Sequence, residues 1–289
     1  MAENEEYQTI IYEPGTVTRI IHNQPDKRNV MGAEFEREFV DALNRFDKDR
    51  EAKVAVTLAA GKHFTAGHDI AFLSTKQDWK PGKKIEWDES RWRSVNDARR
   101  LDNPLWEVSK PIVVGVQGAV IGAGVTFVML HDIVVMGENA FFSTAISRTS
   151  GAFGGLWQLW MGYRKAFEML CTGWNVSAQE LFRVGAINKV VPDDQIESQA
   201  MRYAEIMALM PLENLKLAKQ SLKFGMNMMG AREQIWHNQE TNTLVHCAST
   251  DEEKRFYQIM KEQGMKEALE FRDKPFEKYG FKRNKATDL

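Results

Sequence analysis

Pro111 to Phe142 read PIVVGVQGAVIGAGVTFVMLHDIVVMGENAFF. Ile112 to Val116 form an unbroken apolar run of the buried-strand type, an apolar helical run follows, and a second strand begins at Asp132. Gly115, Gly118, Gly122 and Gly124 stand at the junction of strand and helix. Glycine there lets the backbone approach another group closely, and a helix start offers N–H groups with no intrahelical acceptor, which favours an anion. The turn is expected to hold a developing oxyanion.

Upstream, His63-Phe64-Thr65-Ala66-Gly67-His68-Asp69-Ile70 repeats the design: a strand, a small-residue turn, then a helix start. Two N–H donors converging on one oxygen stabilise an enolate or a tetrahedral oxyanion, and loss of one such donor typically costs about 2.7–4 kcal/mol of barrier. Either turn alone reads as a structural connection. The pair is the stronger signal.

Further out, Tyr7 to Tyr12 and Thr16 to His22 alternate around Glu13-Pro14-Gly15 and predict a hairpin. The loop Asn23-Gln24-Pro25-Asp26-Lys27-Arg28-Asn29 follows, with two adjacent cations suited to a phosphate or simply to solvent. Phe35, Phe39, Val40, Leu43 and Phe46 predict a helix over 31–46, and Val54 to Leu58 a buried strand. Residues 75–95 are charged and carry Trp79, Trp87 and Trp92, which either wall a pocket or pack the loop onto the core. Downstream, a polar loop (143–153) precedes a helix from about Gly162 to Cys171, Ser177 and Glu180 spell a capping box, and Ile187 to Val191 a buried strand. From Asp193 onward the period is helical. The chain is thus mixed α/β for its first two thirds and all α afterwards.

Composition bounds the function. The 289 residues are 43% hydrophobic and 27% charged with a formal net charge of −2, so neither nucleic acid nor a membrane surface is suggested as partner. Cys171 and Cys247 are far apart, which argues against a disulfide scaffold or a cysteine zinc site and fits a reducing compartment. No signal or transit pattern opens the chain, and the expected location is the cytoplasm. His22, His63, His131, His237 and His246 lack ligand spacing, so no metal is expected, and His131 is expected to pack. Met207, Met210, Met226, Met228 and Met229 are expected to fill helix–helix contacts, with an acyl-chain tunnel as the other use.

Several motifs in order carry a resemblance: Lys27-Arg28-Asn29, Ala66-Gly67-His68-Asp69-Ile70, Lys110-Pro111-Ile112 leading to Gly118 and Gly122-Ala123-Gly124, Asp132-Ile133, Thr172-Gly173 with Ser177-Ala178-Gln179-Glu180, and Gly185 to Pro192. The chain resembles the crotonase (enoyl-CoA hydratase/isomerase) superfamily over nearly its full length. The resemblance implies a spiral of ββα units over 1–205, with CoA and oxyanion sites, and a C-terminal helical region over 206–289 used for trimerisation, often as a dimer of trimers. It also implies an acyl-CoA substrate, with coenzyme A entering as part of it and no tightly bound cofactor. The thioester oxygen would be held by the backbone N–H groups of His68 and Ala123. The CoA moiety would lie along Lys27, Arg28, Ala66, Asp69 and Ile70, the cations beside its phosphates.

Departures narrow the chemistry. Hydratases of the superfamily carry glutamates where this chain has Thr126 and Ile146, and without that pair water cannot be deprotonated and the α-carbon reprotonated in the usual way. His68 brings a titratable side chain to the edge of the site, in a spelling similar to that of methylmalonyl-CoA decarboxylases, whose tyrosine falls on or near Phe153. Ser143, Thr144, Ser147, Arg148 and Ser150 lie in the loop that usually faces the reacting carbons, and Arg148 is the residue expected to orient a second anionic group. Asp88 and Glu89 are the carboxylates that a folded-over loop would supply. The expected activity is decarboxylation, C–C hydrolysis or double-bond isomerisation through a thioester enolate. The alternatives are a catalytically silent acyl-CoA-binding homologue and a hydratase with relocated acid–base groups.

Overall fold

β1 (Ile10–Glu13) and β2 (Val17–His22) pair antiparallel, Ile10 opposite His22, across the turn at Pro14-Gly15. They open a computed structural model that describes residues 7–69, 101–149, 154–248 and 250–286. From β2 the main sheet continues in parallel through β3 (Val54–Ala59), β4 (Ile112–Val116), β6 (Ile133–Gly137) and β9 (Lys189–Val191), in the order β1-β2-β3-β4-β6-β9. All of β4 is buried, because a parallel strand covered on both faces has no polar side to show.

A second sheet of three short strands, β5 (Ala119–Ile121), β7 (Phe141–Ser143) and β8 (Val176–Ser177), stands beside the first. Its first member, between Gly118 and Gly122, merges in the sequence with the apolar helical run that follows. Among the described residues, two turns of the spiral each add a strand to the large sheet, a short strand to the small one, and a helix. β4, β5 and α2 (Ala123–Met129) make one turn, and β6, β7 and α3 (Trp157–Thr172) the next. The ββα spiral implied by the resemblance is therefore present. The second strand starts at Ile133, one residue later than expected, because Asp132 turns its carboxylate back to accept from the N–H of Ile112 (2.8 Å). The helix expected from Gly162 begins at Trp157, with Gly162 non-helical inside it (φ 75°).

The core lies between the sheet and the helices. α1 (Ala33–Lys48) buries Phe35, Phe39, Leu43 and Phe46 along one stripe. Phe127 of α2 meets Phe39 edge-on at 4.9 Å and Phe35 at 5.9 Å, and each such buried ring contributes roughly 2–3 kcal/mol through area alone. On the other face, α5 (Ile196–Ala208) sets Ala200 and Ala204 against Val54, Val56 and Val113, small residues that let helix and strands approach. α5 runs three residues beyond the 205/206 division, and Lys53 Nζ donates to Ala208 O (2.9 Å) and Met210 O (3.0 Å).

Beyond it come α6 (Leu212–Met228), α7 (Ala231–Ala248), α8 (Asp251–Gln263) and α9 (Met265–Glu277). α4 (Ala178–Arg183) is capped as its sequence spells, Ser177 Oγ accepting from the N–H of Glu180 (3.2 Å), but the Glu180 carboxylate is spent on Arg183 and Lys165. Met207 and Met226 pack partly as expected, whereas Met228 and Met229 are 74% and 66% exposed in the single chain. No described helix is long and apolar enough to cross a membrane.

Candidate active site

Three loops at the carboxyl ends of the parallel strands are tied together by backbone bonds. Arg28 and Asn29 both adopt left-handed backbone conformations (φ 55° and 51°), a strain that the surrounding hydrogen bonds maintain. Asn29, fully buried, donates through Nδ2 to Ala60 O (2.8 Å) and His63 O (2.9 Å) and accepts at Oδ1 from Gln24 N (2.9 Å). Ala66 N donates to Arg28 O (2.9 Å), and Thr65 Oγ1 donates to Asn29 O (2.6 Å). The result fixes Lys27 and Arg28, both exposed, beside the Ala66-Gly67 turn.

That turn abuts the second one. Gly67 sits at φ 81°, and a Cβ there would fall 2.5 Å from Ile121 O and 3.7 Å from Ala123 N, so only glycine fits where the two turns meet. Met31 N donates to Gly67 O and Asp69 N to Met31 O, so the alternation of the extended backbone turns the N–H of His68 away from Met31. Gly122 N is used by Ser143 O (2.9 Å), while Ala123 N, first in α2, donates to no group among the described residues. A Cβ at Gly122 would meet nothing within 4 Å, which leaves open space beside this turn. Ala66, Gly67, His68 and Ala123 are thus brought together as the motifs required, with Asp69 on the same bridge.

The side chains around them are sorted differently from the expectation. His68 Nε2 lies 3.7 Å from Glu36 Oε1 of α1, a neighbour that helical patterning conceals, because Glu36 reads as one more polar residue of an amphipathic helix. Lys62 is a second unforeseen neighbour. Burial, then Lys62, then Arg28 hold the His63 imidazole below its ordinary range, so these two cations share one corner with it. His63 accepts from Ala119 N through Nδ1 (3.2 Å). A Gly-Lys turn beside the motif was the available signal for Lys62.

Arg148 is elsewhere. Its guanidinium is 2% exposed, pairs with Asp273 (3.1 Å), donates to Thr172 O and Gly173 O, and lies over the rings of Phe276 and Phe281 at 3.9 and 3.8 Å. Burial lowers it to about 10. The expectation that it orients a substrate anion is corrected, since its donors are spent on fastening the C-terminal helix to the 3₁₀ turn Ala145–Arg148. Thr126, at the first glutamate position, accepts from Trp157 Nε1 (3.2 Å), and Ile146, at the second, is half-buried in that 3₁₀ turn. His131 packs: its ring bridges Phe127 O and Thr57 Oγ1, both at 2.9 Å, and burial pushes it down to about 4. Ile70, Trp79, Asp88, Glu89, Trp87, Trp92, Ser150 and Phe153 lie outside the described residues. Among the described residues no group of three His, Cys, Asp or Glu side chains is placed to hold a metal ion.

Known proteins resemble this chain in sequence and in fold. The family model described as enoyl-CoA hydratase/isomerase matches residues 13–279. A probable enoyl-CoA hydratase from Rhizobium meliloti is 30% identical over 222 residues, 75% of this chain and 81% of that one. A peroxisomal Δ(3,5)-Δ(2,4)-dienoyl-CoA isomerase from Arabidopsis thaliana is 29% identical over 197 residues, 64% of this chain and 70% of that one. The fold superposes on an enoyl-CoA hydratase from Mycobacterium smegmatis with a TM-score of 0.86, at 23% identity and 98% coverage of both chains. With the motifs, the spiral and the match along most of its length in agreement, the chain belongs to the enoyl-CoA hydratase/isomerase family.

Proposed function

We propose that the protein acts on an acyl-CoA by forming or capturing the thioester enolate, with the backbone N–H groups of His68 and Ala123 as oxyanion donors. The observation that carries this reading is the contact of the Gly67 and Gly122-Ala123 turns, where a Cβ on Gly67 would sit 3.7 Å from Ala123 N. Two preorganised donors act where charge develops and need no reorientation during the reaction. Lys27, Arg28 and Lys62 supply the positive corner for the CoA phosphates, beside Ala66 and Asp69. His68, paired with Glu36, is the titratable side chain carried by the turn itself.

The reaction is decarboxylation, C–C hydrolysis or isomerisation rather than plain hydration. Thr126 and Ile146 offer no carboxylate, and the Thr126 hydroxyl is engaged by the Trp157 indole. In each of these reactions the electron pair released at the α-carbon is delocalised onto the thioester oxygen, where the two N–H groups meet it. The same lack of a carboxylate pair supports the second reading, an acyl-CoA binder without turnover. The chain is further proposed to assemble as a homotrimer or dimer of trimers, a reading supported by Leu209, Leu222 and Met228, 84%, 75% and 74% exposed.

Incubation with a panel of CoA thioesters and mass spectrometry of the products tests the reading. Loss of the mass of carbon dioxide identifies decarboxylation. Gain of the mass of water identifies addition of water, and crotonyl-CoA absorbance then separates hydration from ring-opening hydrolysis. Binding with unchanged mass leaves isomerisation or the silent binder, which product chromatography separates. No binding to any thioester refutes the assignment.

A further inference from the structure

The opposite end of the large sheet holds a cavity of about 450 Å³, lined by the segment that leads into β4 and by α6. The five residues of β4 separate it from the oxyanion turns by roughly 15 Å. Lys216, Lys219 and Lys223 of α6 line it at helical spacing, and Arg232 of α7 joins them. Against these four cations the lining offers one carboxylate, Glu107.

Among the described residues, two of the cations make no direct ion pair with a carboxylate. Arg232 is paired with Glu107 (2.8 Å). Lys219 is spent on Asp132 Oδ2 (2.6 Å) and Lys110 O (2.8 Å). Lys223 donates to the neutral carbonyl of Trp106 and lies 4.6 Å from the centre of that indole, with no carboxylate in ion-pair contact among the described residues and Asp132 and Glu107 acting on it from farther off. Lys216, half-buried, has no carboxylate partner among the described residues, and its charge is felt at Lys110. Burial, then the charge of Lys219, pulls the Lys223 amine down to about 7. Such crowding of like charges is unfavourable and is relieved by an incoming anion.

We propose that this cavity is a binding site, separate from the acyl-CoA site, for a small molecule carrying a phosphate or pyrophosphate group. Lys216 and Lys223 would meet its charge, while Val108 and Phe224 leave an apolar side for a short carbon skeleton. The inference does not depend on the reaction proposed above.

Pyridoxal phosphate is the probe, because it couples a phosphate to an aldehyde. A lysine amine condenses with the aldehyde, releasing water to form an imine, which borohydride reduces by hydride delivery to a stable secondary amine. The intact protein is labelled, digested and mapped by mass spectrometry, with and without inorganic pyrophosphate. The label is expected on Lys216 or Lys223, suppressed by pyrophosphate. In Lys216→Glu and Lys216→Gln, pyrophosphate protection of Lys223 should weaken by about tenfold or more in the charge-reversed variant and less in the neutral one, with melting temperature held. Arg28→Glu should leave the protection intact. Label scattered over surface lysines, protection that vanishes in Arg28→Glu, or no label at either lysine because copies of the chain cover them would each overturn the proposal.

Discussion

The two ends of the main sheet are built from different materials. At the carboxyl ends the groups proposed to meet the developing charge are backbone N–H groups beside Gly67 and Gly122, where a Cβ on Gly67 would strike Ile121 O. At the amino ends the contacts are made by side chains: Asp132 caps β4, Lys219 bridges it, and Lys223 and Lys216 crowd behind. A backbone site tolerates most substitutions that preserve the turn and fails when a Cβ enters, whereas a charged site fails when one partner is removed.

The largest effect is expected from Gly67→Ala. Its methyl must push against Ile121 O from a backbone at φ 81°, so kcat/KM for any thioester turned over should fall by about 100- to 1000-fold. Wild-type rates in this variant would mean that the two turns do not hold the oxyanion. At the other end, Asp132→Ala leaves Lys219, 6% exposed, with its charge unopposed, at a cost of about 3 kcal/mol. Chemical denaturation measures it, and an unchanged midpoint would erase the contrast between the two ends.

Acid should loosen the core between them. The folded-state His131 lies at about 4 against 6.5 unfolded, so below 6.5 the unfolded chain binds more protons and stability is lost as pH falls toward 4. At about 1.4 kcal/mol per pH unit the loss is on the order of 3 kcal/mol, and it should shrink in His131→Gln when melting is followed against pH. Arg148→Met should cost about 2 kcal/mol, less than a fully orphaned charge because Asp273 keeps Arg272 and Arg283. Turnover below the melting range should persist, and its loss with stability intact would return Arg148 to the reacting centre. Smallest is Thr126→Val, which removes the acceptor of the Trp157 indole for about 1 kcal/mol, read as a shift in melting temperature. A collapse of kcat there would give Thr126 a chemical part.

Legibility followed the same division. The buried strands, the stripe of α1, the Ser177 cap and the glycine turns announce themselves, because periodicity, capping and positive φ act over a few neighbouring residues. The three-residue β5 was hidden, since so short an apolar strand carries no period of its own. Arg148 was misjudged for a different reason: its partner Asp273 lies 125 residues away, and no local pattern reports a pairing made by the return of the last helix.

Taken alone, the sequence determined the α/β order of the chain, the two glycine turns and the absence of a glutamate pair at Thr126 and Ile146, all properties of residue type at a position. Tertiary structure decided which charged groups meet. Arg28 near His63, Glu36 beside His68, Arg148 on Asp273 and the lysines of α6 around one cavity are set by how loops and helices return to the sheet, and a charge acts through space rather than along the chain.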